Sequence, residues 1–177
     1  DDGGASISFN GGKSFSPLDN QPTSQLYRIN VDNQFPYRIY AGQQDNTSLV
    51  IESRNLSGGN IGERNWFYSA GGESAFLAFD PDQPTYVMGG SYQGTIELLN
   101  QKISEGKGVM VVPLQYQSIM PKRMKYRFNW NAPIVWSKAD GGSFYHAGNH
   151  LFKTSNLGKT WTVISPDLTR NDTTKIG

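Results

Sequence analysis

Apolar residues in this chain come in short runs of about four to eight, rich in β-branched and aromatic types, and Gly, Asn, Asp or Pro cuts each run. The spacing of three to four that marks an amphipathic helix is almost absent. Short runs bounded by turn residues predict strands. They fall at 26–32, 38–42, 48–53, 65–69, 75–80, 85–90, 95–100, 109–112, 132–137, 143–148, 150–154 and 160–165. The expected class is all-β and antiparallel.

The runs are organised by a repeat. The unit is an apolar strand, an Asp-bearing turn, and an aromatic strand that ends in a small residue and glycine. It reads R-I-N-V-D-N-Q-F-P-Y-R-I-Y-A-G at 28–42, F-L-A-F-D-P-D-Q-P-T-Y-V-M-G-G at 76–90 and P-I-V-W-S-K-A-D-G-G-S-F-Y-H-A-G at 133–148. A second repeat is superimposed on it: S-F-N-G-G-K-S-F at 8–15 and T-S-N-L-G-K-T-W at 154–161. Aligning these two motifs puts a further repeat point near Asp2, ahead of the closing glycines Gly42, Gly90 and Gly148. The spacings are then about 40, 48 and 58 residues. A period of roughly 40–50 with four short strands per period is the pattern of β-propeller blades. The last interval is lengthened by residues 101–125, expected to form a loop inserted between blade elements, which at that length is either functional or without fixed structure.

The shorter motif has a physical reading of its own. Asn10 and Asn156 are expected to accept backbone N–H groups in a turn, with Ser8 and Thr154 closing further bonds. Gly12 and Gly158 supply backbone torsions that other residues resist. Phe15 and Trp161 are expected to bury their rings between blades. All eight are structural candidates.

The motif resembles the Asp-box, or bacterial neuraminidase repeat, with Asn in place of the Asp. Further segments resemble bacterial, Bacteroidetes-type BNR-repeat glycosyl-hydrolase-like and sortilin-like propellers: D-N-Q-F-P-Y-R-I-Y-A-G-Q-Q-D-N, A-G-G-E-S, K-Y-R-F-N-W-N-A-P-I, A-G-N-H-L-F and S-P-D-L-T-R-N-D. Gln44–Asn46 resembles a motif of xyloglucanase-like and sortilin-like propellers. The resemblance implies a seven-bladed type of propeller in a secreted, periplasmic or outer-membrane-associated bacterial protein, and it implies little about a reaction. By repeat length, 177 residues hold three to four blades. The chain is therefore expected to be a partial propeller, completed by the remainder of a longer polypeptide or by partner chains.

Composition narrows the function classes. Aromatics make up 12% and there are 20 glycines, as turn-rich β proteins require. The net charge is +1 and no basic stripe exists, so nucleic acid is not an expected partner. No apolar run approaches a membrane span. There is no cysteine, which excludes disulfides and thiolate metal sites. No cofactor or metal is expected. The two histidines, His146 and His150, are expected to share one strand face and to bond between blades.

Two function classes remain. A glycosidase needs a pair of carboxylates, and a sialidase also needs clustered arginines. Carboxylate candidates are Asp2, Asp45, Glu63, Glu73, Asp80 and Asp140. Asp80, Asp82 and Asp140 fall in turns of the repeat, which leaves Asp45 and Glu73 as the catalytic pair to weigh. Arg28, Arg38 and Arg127 share Tyr-Arg contexts. A glycan- or protein-binding module instead needs aromatic platforms and polar neighbours. Candidates are Arg38, Gln44, Asn46, Trp66, Tyr92 and Trp130, within a supply of rings that includes Tyr27, Tyr68, Tyr116 and Tyr126. The binding module is the leading expectation, because no complete acid/base set is legible.

Overall fold

The structure is a computed structural model and describes residues 5–18, 23–114 and 118–176. Asp2 and Tyr116 lie outside the described residues. Those residues contain twelve strands and only three short turns of 3-10 helix. The strands are β1 (Leu26–Val31), β2 (Arg38–Gln43), β3 (Thr47–Glu52), β4 (Trp66–Gly72), β5 (Leu77–Ala78), β6 (Tyr86–Gly90), β7 (Ile96–Asn100), β8 (Glu105–Gly108), β9 (Ile134–Ser137), β10 (Ser143–Ala147), β11 (Leu151–Thr154) and β12 (Thr162–Val163).

They form three four-stranded antiparallel sheets, each a meander in chain order: β1 to β4, β5 to β8 and β9 to β12. Each copy of the longer repeat is the first hairpin of one sheet. The closing glycine is the penultimate residue of β2, the last residue of β6 and the residue that follows β10. The sheets are blade-like and stack in order, with β5 neighbouring β1 on one side and β9 on the other.

Between the first and second sheets lies a core of Tyr40, Val50, Ala70, Ala75, Leu77, Phe79 and Val87. The approach is close enough for backbones to touch. A Cβ on Gly89 would stand 2.0 Å from the carbonyl oxygen of Ala70. A second core joins the second and third sheets through Met88, Ile96, Leu98, Val109, Ile134 and Phe144.

The eighth strand departs from expectation. It is E-G-K-G at 105–108, inside the segment read as an inserted loop, and the apolar run 109–112 is not a strand. The carboxylate of Glu97 on β7 lies beside this strand and accepts the Gly71 N–H at 2.9 Å. Its Oε1 stands 2.0 Å from where a Gly106 Cβ would be, so a side chain at 106 would displace that carboxylate, while the register pairs Glu97 with Gly108. Val109 goes into the core and accepts the Trp161 indole N–H at 2.7 Å. Beyond it, Val111, Val112, Ile119, Met124 and Phe128 pack with Phe152 of β11, so much of the expected loop is core.

The two Asn motifs carry the same bonds. In the first, Gly12 N–H donates to the Ser8 hydroxyl at 2.8 Å, Ser14 N–H to Asn10 Oδ1 at 2.9 Å, and the Asn10 amide to the Ser14 hydroxyl at 2.8 Å. In the second, Gly158 donates to Thr154 at 3.0 Å, Thr160 N–H to Asn156 Oδ1 at 3.0 Å, and the Asn156 amide to the Thr160 hydroxyl at 2.9 Å. The second motif joins β11 to β12, the outer hairpin of its sheet. Gly158 has φ +74° and would meet Val109 at 2.6 Å if it bore a Cβ. Trp161 packs against two of the cores. Phe15 differs: it is 65% exposed, because no described residue covers its hairpin.

Candidate functional site

Tyr27, Gln44, Asp45, Glu73, Tyr92 and Trp130 come from five separate places in the chain and meet at one end of the sheet stack. Gln44 and Asp45 form the β2–β3 turn, Glu73 follows β4, Tyr92 follows β6, and Trp130 precedes β9. Tyr27 on β1 is brought beside Gln44 by the register that pairs Leu26 with Gln43. Each blade-like sheet thus contributes at its own strand end.

The contacts close into a circuit. Trp130 Nε1–H donates to the Tyr27 hydroxyl at 3.1 Å, and that hydroxyl donates to Gln44 Oε1. The Gln44 amide nitrogen donates to Asp45 Oδ1 and to Glu73 Oε2, both at 2.8 Å. Asp45 N–H also donates to Glu73 Oε2, at 2.6 Å. The Tyr92 hydroxyl bonds Glu73 as well. Tyr92 returns to Trp130 through ring contact, with centroids 4.5 Å apart and planes tilted by 48°. The Trp130 carbonyl accepts from the Ser74 hydroxyl at 3.2 Å, which fixes the loop that bears the indole.

Glu73 is 4% exposed and accepts from three neutral donors, which makes burial of a carboxylate tolerable. Its hydrogen bond to Tyr92 pushes the Tyr92 hydroxyl up to about 12, with burial adding to the effect. Tyr92 therefore stays a donor throughout the neutral range. Asp45 and Gln93, next to Tyr92, hold φ of +55° and +50°, a conformation rare outside glycine. Backbone strain of this kind gathers where geometry serves a site.

The remaining candidates lie elsewhere. Arg38 is at the far end of β2, with its guanidinium over the Phe67 ring at 5.5 Å. It lines a cavity of about 340 Å3 with Gln34 and Gln101. Arg28 lies over Phe76 at 5.4 Å, and Arg127 is paired with Asp167 at 3.0 Å, so the three arginines do not converge. Asn46 uses its Oδ1 on the N–H of Thr47 at 2.9 Å, a turn role. Trp66 is at the far end of β4, edge-on to Tyr68 at 6.1 Å. Asp80 caps its own turn through Asp82 N–H at 3.0 Å, and Asp140 holds Tyr145 and Lys153. His146 and His150 do not share a strand, because the hairpin bend at Gly148–Asn149 separates β10 from β11. Each bonds within the third sheet and its flank: His146 Nδ1 to the Pro133 carbonyl at 2.9 Å, His150 Nδ1 to the Ser165 carbonyl at 3.1 Å. No cluster of three or more metal-ligating side chains is found among the described residues.

Sequence alone places Tyr27 only within the supply of rings. Its partner is set by strand register, which the local pattern does not reveal. Two grooves of about 660 and 620 Å3 lie between neighbouring sheets, and neither is lined by a member of the circuit. The chain matches no family model, no curated protein and no solved structure.

Proposed function

We propose that the three sheets are consecutive blades of a BNR/Asp-box β-propeller of the seven-bladed type, and that the chain is an extracytoplasmic binding module whose ligand is a glycan. The circuit of Tyr27, Gln44, Glu73, Tyr92 and Trp130 is the observation that carries the functional half. It supplies carboxylate and amide groups on a cross-braced frame, beside an indole that is 45% exposed. Sugars are held by such pairings of polar groups with one flat ring, and a braced site loses less freedom on binding.

The fold half is supported by the stacked meanders and by the Asn motif at an outer hairpin. It is supported also by the face of the first sheet turned away from the second. Cross-strand pairing aligns Val31, Ile39, Ile51 and Trp66 in one row, and Ile29, Ala41, Leu49 and Tyr68 in the next. Val31, Ile29, Trp66 and Tyr68 in these rows are exposed. An apolar sheet face of this size calls for a further sheet, supplied by more of the polypeptide or by a partner chain. Trp66 then serves blade packing and not sugar binding. A secreted, periplasmic or outer-membrane location follows from the resemblance.

A glycosidase using Asp45 and Glu73 is the second reading, favoured by the proximity of the two carboxylates. Gln44, however, occupies the space between them, where an inverting enzyme keeps its water. Glu73 is also committed to three donors, which leaves it poorly placed to hand a proton to a leaving group.

A glycan array probed with the 177-residue chain, paired with an assay for released sugars, tests the proposal. Retention of at least one glycan class without release supports the module. Release of sugar that Glu73→Gln abolishes would establish the glycosidase, and no retention at all would refute the glycan reading.

A further inference from the structure

We infer that the platform is built for uncharged sugars and turns away acidic ones, an inference that rests on the glycan-binding reading above. Charge gives the first argument. The buried Glu73 carboxylate takes its bonds from the Gln44 amide, the Asp45 N–H and the Tyr92 hydroxyl, and none of these brings a positive charge. The Asp45 carboxylate shares the same amide nitrogen. Two carboxylates so placed repel a third one on a ligand.

Position gives the second. An acidic sugar is held by a guanidinium that meets its carboxylate with two parallel bonds. Arg28, Arg38 and Arg127 are engaged with Phe76, Phe67 and Asp167, and none of them is hydrogen-bonded to a member of the circuit.

Shape gives the third, because it separates a neutral sugar from an organic cation. A cation cage flanks its guest with two or more ring faces. Here the Tyr92 and Trp130 rings face each other at 4.5 Å and leave no room for a guest between them. What remains is the outer face of one indole, suited to the C–H face of a pyranose. Asp45 stands three hydrogen bonds along, through Tyr27 and Gln44.

The test is titration of the 177-residue chain with neutral oligosaccharides and with sialylated and uronic-acid versions of the same cores. The neutral sugars are expected to bind at least about tenfold tighter. Asp45→Asn keeps the shape and suits the positive φ, and is expected to narrow that gap several-fold by raising the affinity for acidic sugars. Raised salt is expected to narrow it in the unaltered chain, which gives the same readout if the variant does not fold. Acidic sugars binding as tightly as neutral ones, or a gap that neither Asp45→Asn nor salt changes, would overturn this inference and leave the glycan reading standing. Failure of every sugar to bind would overturn both.

Discussion

Trp130 donates its indole N–H to the hydroxyl of Tyr27, 103 residues earlier in the chain, at 3.1 Å. One bond thereby ties the first strand of the first sheet to the approach of the third. Tyr27→Phe removes the acceptor of that bond and the donor to Gln44 Oε1 together. The expected loss is about 1–2 kcal/mol of stability, with a several-fold fall in sugar affinity. Trp130→Phe removes the same link from the other side. Urea melts of both single variants and the double variant should reveal a coupling of about 1 kcal/mol. Strict additivity would mean that the bond contributes nothing.

Asn156 and Asn10 hold identical turns in different surroundings. Asn156→Ala leaves the N–H of Thr160 and the Thr154 hydroxyl without their partner. The turn is anchored to the core through Gly158 and Trp161, so the loss is global, about 1–2 kcal/mol. Asn10→Ala removes the same bonds from an exposed hairpin and should change the global melt by less than about 0.5 kcal/mol. Neither should alter sugar binding. Equal effects at the two sites would contradict this assignment of the turns.

Gly89→Ala places a methyl group 2.0 Å from the Ala70 carbonyl oxygen and 2.2 Å from its carbon. Both neighbours are backbone, so the first two sheets must move apart. The expected cost is about 3 kcal/mol or more, read as a large drop in melting temperature or loss of soluble protein. A melt within a degree or two of the unaltered chain would show that the sheets are not locked there.

His146 is 1% exposed, stacked 4.8 Å from Phe128, and its Nε2 has no bonding partner. Burial lowers its pKa to about 4 from 6.5. Between these values the unfolded chain takes up a proton that the folded chain refuses. Stability should therefore be full above about pH 6.5 and fall as pH drops toward 4, by up to about 3 kcal/mol. His146→Phe should remove that slope. An equal slope in the variant would place the acid sensitivity elsewhere.

The hairpin units, the turn chemistry of the Asn motifs and the position of most strands were legible in sequence, because alternation and Gly/Asp punctuation are local properties. The eighth strand was not. E-G-K-G has poor strand propensity, and it takes the edge position beside β7 while the more strand-like valines pack into the cores. Gln44, Asp45, Glu73, Tyr92 and Trp130 could be singled out as residue types at strand ends. That they touch, that Tyr27 joins them and that Trp66 does not are consequences of register and sheet stacking.

Indole N–H resonances give the most direct test that the circuit is the ligand platform. The chain has four tryptophans, and each variant lacking one assigns its signal. Titration with a neutral oligosaccharide that the chain retains should move the Trp130 signal. The Trp161 signal, held by the Val109 carbonyl inside the core, should stay in place. Movement of Trp66 or Trp136 with Trp130 unmoved would place the ligand elsewhere and contradict the account.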